Sequence, residues 1–237
     1  MKITNDPMGS AIADYFQHGK AAKLRVFSPD FDEDEIPVAD LFRTFAEMPP
    51  LEQLALRHAK GHVLDVGAGA GCHSLALQEM GVGVTAVEIS PLSVATMRQR
   101  GVERVVEQDF WQMSGSFDTI LMLMNGIGIV GTIAQLPKFF EHISAILAPD
   151  GQVLVDSTDV CYIFDDEPGD KAFMPTDRYY GEWQYRIQYK QVKGEWFPWL
   201  YVDFDTLATA ATAHGFRAER MADGEHYDFL VRIVRAS

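Results

Sequence analysis

The sequence is poor in basic residues, in cysteine and in long apolar runs, and each shortage excludes a class of protein. Twenty lysine and arginine residues stand against 34 aspartate and glutamate residues, which gives a net charge of −14. Nucleic-acid binders normally carry a basic face, and this chain has no run of more than two adjacent basic residues. The charge therefore disfavours DNA, RNA and anionic membranes as partners, and it is compatible with neutral or cationic small molecules.

The two cysteines, Cys72 and Cys161, lie far apart and belong to no CxxC or His/Cys metal spacing. The sequence therefore offers no metal site, and so little cysteine is typical of a reduced cytosolic protein. No run of about 18 apolar residues is present, so no membrane-spanning helix is predicted. The amino terminus has no signal-peptide pattern, and we expect a cytoplasmic location.

The pattern that says most about function is the stretch VLDVGAGAG at positions 63–71. Branched apolar residues around Asp65 predict a buried parallel strand. In the turn that follows, Gly67, Ala68 and Gly69 let a ligand approach the main chain with little obstruction from side chains. The helix predicted after the turn would direct the positive end of its dipole to the same place. The stretch therefore predicts a ligand-binding turn.

Two kinds of enzyme use such a glycine turn. Dinucleotide-binding proteins carry glycine at its first, third and sixth positions, whereas the sixth position here is Cys72 or Ser74, depending on the first glycine chosen. The arrangement GxGxG after an aspartate resembles motif I of the class I S-adenosylmethionine-dependent methyltransferases, in which the glycine loop packs against the methionine part of the cofactor. The resemblance covers roughly residues 51–237, and it implies S-adenosylmethionine as the cofactor.

Acidic residues follow the next two predicted strands. Glu88 lies 23 residues after Asp65, where a carboxylate can accept two hydrogen bonds from a ribose diol, and the adjacent Ile89 belongs to the same predicted site. Asp109 lies 21 residues after Glu88. The resemblance implies that Asp109 binds the adenine amino group and that Phe110 packs on the ring. A surface position for Glu88 and a helix N-cap for Asp109 are the structural alternatives.

The resemblance adds two further cofactor positions. In these enzymes the fourth strand ends beside the methionine amino group and the methyl donor, and here it ends at Met124. The Asn-Gly-Ile-Gly that follows departs from the Asn/Asp-Pro-Pro-aromatic segment of enzymes that methylate nucleobases or protein amides, which counts against those substrates. A basic residue before motif I often pairs with the cofactor carboxylate, and Arg43 matches that description. A solvent-exposed helix position is the alternative for Arg43.

Apolar strands and helical segments alternate from residue 51 onward, which predicts parallel strands with helices on both faces. The fold class expected is α/β, with a Rossmann-like class I methyltransferase sheet that is mostly parallel and has an antiparallel last strand. Residues 1–50 are expected to form an N-terminal helical cap with an acidic solvated loop at 30–35, and residues 51–237 the methyltransferase domain. Ligands bind at the carboxyl ends of such strands.

Residues 161–200 interrupt this alternation with many aromatic side chains. Residues 183–190 alternate between apolar and polar, and residues 195–201 can return as a partner strand, which predicts an aromatic β-hairpin. At the carboxyl edge of the sheet such a hairpin would cap the substrate. Coverage of the sheet edge, or a dimer contact, is the alternative for its aromatic face.

Asp156, Asp159 and Tyr162 follow the fifth predicted strand, so each is a candidate to orient or deprotonate a methyl acceptor. Turn capping for the aspartates and packing for the tyrosine are their structural alternatives, and the identity of the catalytic residue stays open. The acceptor is expected between the 125–128 loop and the insertion.

These observations predict methyl transfer from S-adenosylmethionine to a small molecule, by a monomer or a homodimer. The alternatives are a non-catalytic S-adenosylmethionine-binding protein, a nucleotide-cofactor oxidoreductase, and a methyltransferase of protein or RNA. The sequence does not distinguish an oxygen, nitrogen or carbon acceptor.

Overall fold

A computed structural model describes residues 5–164 and 174–236. Residues 165–173 of the predicted insertion, and the first four residues of the predicted cap, lie outside the described residues. The described helices are α1 (Pro7–His18), α2 (Pro50–His58), α3 (Cys72–Glu79), α4 (Pro91–Arg100), α5 (Leu136–Ile146) and α6 (Phe204–Ala213). The described strands are β1 (Leu24–Phe27), β2 (Asp34–Ile36), β3 (His62–Val66), β4 (Gly83–Glu88), β5 (Val105–Glu107), β6 (Phe117–Met122), β7 (Leu147–Thr158), β8 (Glu182–Tyr189), β9 (Val192–Lys193), β10 (Phe197–Leu200), β11 (Phe216–Asp223) and β12 (Asp228–Arg235).

Seven strands form the larger sheet in the order β11-β12-β7-β6-β3-β4-β5. The strands from β7 to β5 run parallel to their neighbours, whereas β12 runs antiparallel to both β7 and β11. The predicted Rossmann-like sheet, mostly parallel with an antiparallel last strand, is confirmed.

Alternate residues of the central strands point to opposite faces of this sheet, and helices cover both faces. Leu64, Ile120 and Val153 pack with residues of α5 and α6, such as Phe139 and Leu207. The neighbours Val63, Leu121 and Leu154 pack instead with residues of α2 and α3. No helix in the described part of the chain combines the length and apolar character that a bilayer crossing requires.

A second, smaller sheet has the order β10-β8-β1-β2, with β9 on the side of β8. We call these five strands the cap sheet. It joins two distant parts of the chain, because β1 and β2 come from the first 50 residues while β8, β9 and β10 come from the predicted insertion. In the register of β1 and β8, Leu24 lies opposite Tyr189 and Val26 lies opposite Ile187.

The expectation of a purely helical N-terminal segment is therefore wrong in part. Helix α1 forms as expected, with Asp6 as its N-cap. Residues 24–27 and 34–36 are strands, and two short 3₁₀ turns, Val38–Phe42 and Phe45–Glu47, follow them in place of an α-helix. The acidic stretch 30–35 ends inside β2 and is not wholly a solvated loop. The physical reason is that β1 gains its hydrogen bonds from β8, a partner that local sequence does not reveal.

The aromatic hairpin predicted in the insertion is present. Strands β8 and β10 pair antiparallel, with Tyr185 opposite Phe197 and Trp183 opposite Trp199. Cross-strand aromatic pairs of this kind stabilise a two-stranded unit. The hairpin is not isolated, however, because its β8 strand is also the partner of β1.

Strand β10 packs directly on the loop that follows β6. A side chain on Gly128 would meet the Trp199 ring at 2.1 Å, and one on Gly131 would meet Pro198 at 3.0 Å. The Asn125 side-chain amide donates to the carbonyl oxygen of Leu200 at 3.2 Å. The loop and the insertion are therefore already in contact at Gly128, at one end of the 125–128 stretch beside which the acceptor was expected, and the position of the acceptor stays a prediction.

Two of the connections between strands of the larger sheet contain 3₁₀ turns. After β5 the chain forms only the 3₁₀ turn Phe110–Gln112, with Asp109 as its N-cap. Residues 133–135 form a 3₁₀ turn, and helix α5 follows it from Leu136. Pro137 lies in the first turn of α5, a position where proline is tolerated.

Gly128→Ala should lower the free energy of unfolding by about 1–3 kcal/mol, because the added methyl group overpacks the contact with Trp199. Chemical denaturation monitored by tryptophan fluorescence measures the change. Gly83→Ala is the matched control, since a side chain there meets nothing within 4 Å among the described residues. Equal stability of the two variants would show that a side chain at Gly128 is accommodated without overpacking against strand β10.

Candidate active site

The turn after β3 leaves its main chain open on one side. Gly67 and Gly69 have left-handed backbones, with φ of +67° and +56°. A side chain on Gly67 would meet nothing within 4 Å among the described residues, and the nearest atoms to one on Gly69 lie at 3.9 Å. Ala68, between them, is buried against Val94 and Met97. The turn therefore presents bare backbone to a space that side chains do not fill.

Behind the turn, buried polar groups hold strand β3 to helix α3. The Ser74 hydroxyl donates to Asp65 Oδ2 at 2.6 Å, and Asp65 is 2% exposed. Burial raises the pKa of Asp65 above its ordinary value. Burial also raises the pKa of the neighbouring Cys72 thiol to about 12, so this cysteine is a packed structural residue rather than a nucleophile.

Glu88 ends β4 beside the glycine turn. Its Oε2 accepts a hydrogen bond from the Gly69 amide at 3.0 Å, and its Oε1 accepts from the Ile89 and Ser90 amides at 2.7 and 3.0 Å. Burial raises the pKa of Glu88 even though these amides favour its charged form. A carboxylate can accept further hydrogen bonds from a ligand hydroxyl. The adjacent Ile89 is 46% exposed and offers an apolar surface at the same edge.

Asp109 caps a turn, whereas Phe110 lies in the hydrophobic core. Asp109 Oδ1 accepts from the Trp111 amide at 3.1 Å, as the N-cap alternative predicted, and the residue is half-buried. Phe110 is 2% exposed and packs against Phe139 and His142. The expectation that the Phe110 ring stacks on adenine is therefore wrong, because that ring is already enclosed by the core.

The strand end at Met124 has unusual backbone geometry. Met124 and Asn125 have φ of 64° and 55°, in the left-handed region that costs free energy for residues other than glycine. Asp156 holds this conformation, because its Oδ2 accepts from the Met124 amide at 3.0 Å and its Oδ1 from the Gly126 amide at 2.9 Å. Met124 is 37% exposed. Strain of this kind is often found at functional sites.

The three catalytic candidates all have structural partners. Both Asp156 oxygens bind the backbone, and burial raises the Asp156 pKa to about 6. Asp159 Oδ1 accepts from the Cys161 amide at 3.0 Å and from the Tyr180 hydroxyl at 2.8 Å. The Tyr162 ring stacks on Tyr227 with centroids 4.6 Å apart. The turn-capping and packing roles proposed as alternatives therefore account for the contacts of all three.

Arg43 lies in a buried ionic cluster with Glu52 and His73. Its Nη2 donates to Glu52 Oε1 at 2.8 Å, and the other carboxylate oxygen of Glu52 lies 2.8 Å from His73 Nε2. The three side chains are 17%, 7% and 7% exposed. Arg43 Nε is buried and has no hydrogen-bond partner in the described part of the chain. The solvent-exposed alternative for Arg43 is therefore wrong.

A neighbouring contact fixes the same segment over the turn. Arg100 donates to the carbonyl oxygen of Ala70 at 2.5 Å, and its guanidinium lies 4.6 Å from the centroid of the Phe42 ring. The adjacent residue Leu41 approaches the Cβ position of Gly69 at 3.9 Å. Cation–π contact and a charge-assisted hydrogen bond thus fasten the residues before Arg43 onto the glycine turn.

The structure brings most of the predicted cofactor residues to one edge of the sheet and adds Glu52 and His73, which the sequence analysis did not identify. Neither residue belongs to a motif, and no helical or strand periodicity in the sequence relates Glu52 to His73. Their relation appears only when α2 and α3 pack together. The residues at this edge are Arg43, Asp65, Gly67, Ala68, Gly69, Glu88, Ile89, Asp109 and Met124.

These residues fit an adenosine with an amino-acid tail. The open glycine turn, the carboxylate at the end of β4, the exposed apolar Ile89 and Met124, and a buried guanidinium with a free N–H each match one part of such a molecule. The fold and this edge define the class I S-adenosylmethionine-dependent methyltransferases.

Comparison with known proteins identifies the family. A family model described as a methyltransferase domain matches residues 39–220. A solved S-adenosylmethionine-dependent methyltransferase from Bacteroides fragilis, in complex with S-adenosyl-L-homocysteine, is 50% identical with a TM-score of 0.93, and the match covers 100% of this chain and 98% of that one. This chain therefore belongs to the methyltransferase domain family, and its cofactor is S-adenosylmethionine.

More distant proteins share the fold or part of the sequence. The cypemycin N-terminal methyltransferase of a Streptomyces species is 31% identical over 102 residues, which cover 41% of this chain and 42% of that protein. The chain thus spans less than half the length of this curated relative. The sugar N-methyltransferase KedS8 from Streptoalloteichus has a TM-score of 0.57 at 19% identity, over 89% of this chain and 98% of that one, and shares the fold.

Gly69→Ala should weaken binding of S-adenosylhomocysteine by at least tenfold, because the methyl group enters the open side of the turn and disfavours its left-handed backbone by about 1–2 kcal/mol. Calorimetric titration measures the affinity. Gly81→Ala is the matched control, since Gly81 is also left-handed, at φ +77°, and a side chain there meets nothing within 4 Å among the described residues. If both variants bound the ligand like the parent, the turn would not be part of the cofactor site.

Comparison with Asp156→Asn tests whether the pKa of the Asp156 carboxyl group is raised in the folded protein. Because the Asp156 pKa is raised from 3.8 to about 6, the protonated form is favoured by folding, and this contribution to stability is lost as pH rises from about 4 through 6. The free energy of unfolding of the parent, relative to Asp156→Asn, should therefore fall over that range. Denaturation at a series of pH values measures it, and a rising difference would contradict the assigned shift.

Proposed function

We propose that this protein transfers a methyl group from S-adenosylmethionine to a small-molecule acceptor by in-line displacement. The observation that carries the proposal is the cap sheet, which packs on the loop after β6, next to the turn that would hold the cofactor. When bound, S-adenosylmethionine supplies an activated methyl group on a positively charged sulfur. The residues of this chain then have to bind, orient and enclose the two reactants.

The cofactor assignment follows the chemistry of each group at the sheet edge. The bare backbone of the glycine turn suits the methionine part, and the free Nε–H of Arg43 suits its carboxylate, since arginine forms strong hydrogen bonds with carboxylates. The Glu88 carboxylate suits the ribose hydroxyls. The half-buried Asp109 suits the adenine amino group, and Ile89 supplies an apolar surface for the ring.

The acceptor would lie under the cap sheet rather than between β10 and the loop after β6. The aromatic side chains near the ends of β7 and β8 supply flat apolar walls with hydroxyl groups. Burial raises the pKa of Tyr180, and the Tyr179 hydroxyl and Asp159 raise it further, so this hydroxyl stays protonated. The net charge of −14 favours neutral or cationic acceptors over nucleic acid.

Alignment of donor and acceptor would supply most of the rate enhancement. The sulfonium is a good leaving group, so the reaction needs correct positioning more than a strong base. Asp156 contributes to this positioning by accepting hydrogen bonds from the backbone amides of Met124 and Gly126. The Oδ1 atom of Asn125 is buried and has no hydrogen-bond partner among the described residues. A cap that excludes water would protect the activated methyl group from side reactions.

The test is an assay for S-adenosylhomocysteine release with S-adenosylmethionine and panels of small amines, alcohols and thiols, a protein mixture and RNA. We expect release to depend on a small acceptor, and methylated product to appear by mass spectrometry. Gly69→Ala, which should bind the cofactor at least tenfold more weakly, is the control and should release less S-adenosylhomocysteine at a cofactor concentration that does not saturate it. Release stimulated only by protein or RNA would contradict a small-molecule acceptor. Tight cofactor binding with no release in any panel would favour the non-catalytic alternative.

A further inference from the structure

We propose that His73 is a positioning residue for the cofactor: through Glu52 it holds Arg43 ready for the carboxylate of the methionine part. The proposal rests on the function proposed above, since it takes Arg43 as the group that binds this carboxylate. His73 itself is not proposed to contact the reacting atoms. Its role is to share the negative charge of Glu52, so that more of the positive charge of Arg43 is available to the ligand carboxylate.

Three separate elements supply the members of this chain of contacts. Arg43 lies between two 3₁₀ turns of the N-terminal segment, Glu52 lies in the first turn of α2, and His73 is the second residue of α3. Glu52 Oε1 accepts a hydrogen bond from Arg43 Nη2 at 2.8 Å, and Glu52 Oε2 lies 2.8 Å from His73 Nε2. Because both Glu52 oxygens are engaged and the carboxylate is 7% exposed, its position is fixed by its two neighbours together.

The charges around His73 explain why it matters. Glu52 from α2, Asp65 from β3 and Asp156 from β7 face it with carboxyl groups, the Cys72 thiol lies beside it on α3, and the one cation paired with Glu52 besides His73 is Arg43, as far as the described residues go. With His73 protonated, Glu52 is shared between two cations. With His73 neutral, Glu52 would be balanced by Arg43 alone, and less of the Arg43 charge would be available to a ligand carboxylate.

The direction of the His73 titration agrees with this geometry. Burial lowers the pKa of His73, but the hydrogen bond with Glu52 and the charges of Asp65, Glu52 and Asp156 outweigh burial, so the pKa lies above its ordinary value. The protonated form therefore persists to higher pH than in an ordinary histidine, and it is lost as pH rises further.

A structural role for His73 would also explain its contact with Glu52, because the pair ties α2 to α3. The two roles differ in one respect. A positioning role acts only on ligands that carry the methionine carboxylate, whereas a structural role affects every adenosine ligand alike. Comparison of S-adenosylhomocysteine with 5′-methylthioadenosine, which has the same adenosine and thioether but no amino-acid part, separates the two.

Calorimetric titration of both ligands with the parent, His73→Gln and Arg43→Gln tests the proposal. We expect His73→Gln to weaken S-adenosylhomocysteine by about tenfold, the scale of one charge-assisted hydrogen bond, and to leave 5′-methylthioadenosine within about twofold. In the parent, affinity for S-adenosylhomocysteine should fall as pH rises above neutrality, and His73→Gln should lose this dependence. His62→Gln is the matched control, since His62 bonds Thr85 at the opposite end of β3.

Equal weakening of both ligands by His73→Gln, or an unchanged ratio of the two affinities, would overturn the proposal. An unchanged ratio in Arg43→Gln would instead overturn the assignment of Arg43 in the proposed function. Should His73→Gln fold poorly, the pH series on the parent decides: affinity for S-adenosylhomocysteine that is constant relative to 5′-methylthioadenosine across that range contradicts a role for His73, and a selective fall supports it.

Discussion

Strand β1 pairs with strand β8, and through this pairing the N-terminal segment and the insertion form one cap sheet. The pairing gives β1 its backbone hydrogen bonds and places Tyr189 so that its hydroxyl donates to Asp14 of α1 at 2.7 Å. It also fixes the path of the residues between β2 and α2, which carry Leu41, Phe42 and Arg43 over the glycine turn. Both the glycine-turn side and the cap-sheet side of the proposed site therefore depend on contacts between distant parts of the chain.

The site combines open backbone with carboxylates that bind main-chain amides. Glu88 and Asp156 each use both oxygens on main-chain amides, so they shape the turn after β3 and the strained end of β6. Burial raises the pKa of both groups, which shows that the fold holds these carboxylates at a free-energy cost. A methyl transfer that relies on alignment gains from such rigid shaping, because the sulfonium donor needs little acid or base assistance.

Several candidate residues were predictable because they follow from local pattern. The glycine turn and Glu88 stand at the ends of buried parallel strands, and such ends always meet at one edge of the sheet. Phe110 was misassigned because an apolar residue after a strand suits either a ligand ring or a core, and only packing against Phe139 and His142 decides. Glu52 and His73 were missed because a buried ion pair between two helices leaves no periodic trace in the sequence.

The sequence by itself determined the parallel direction of the central strands, the aromatic hairpin and the family. Hydrophobic periodicity and glycine spacing are local properties, so a short stretch of sequence is enough to reveal them without knowledge of distant contacts. The tertiary structure alone decided that residues 24–27 and 34–36 become strands, that Arg43 is buried with Glu52, and that Asp156 holds the backbone at Met124. Each of these depends on a partner far along the chain, and burial and hydrogen bonding assign such roles only when the partners meet.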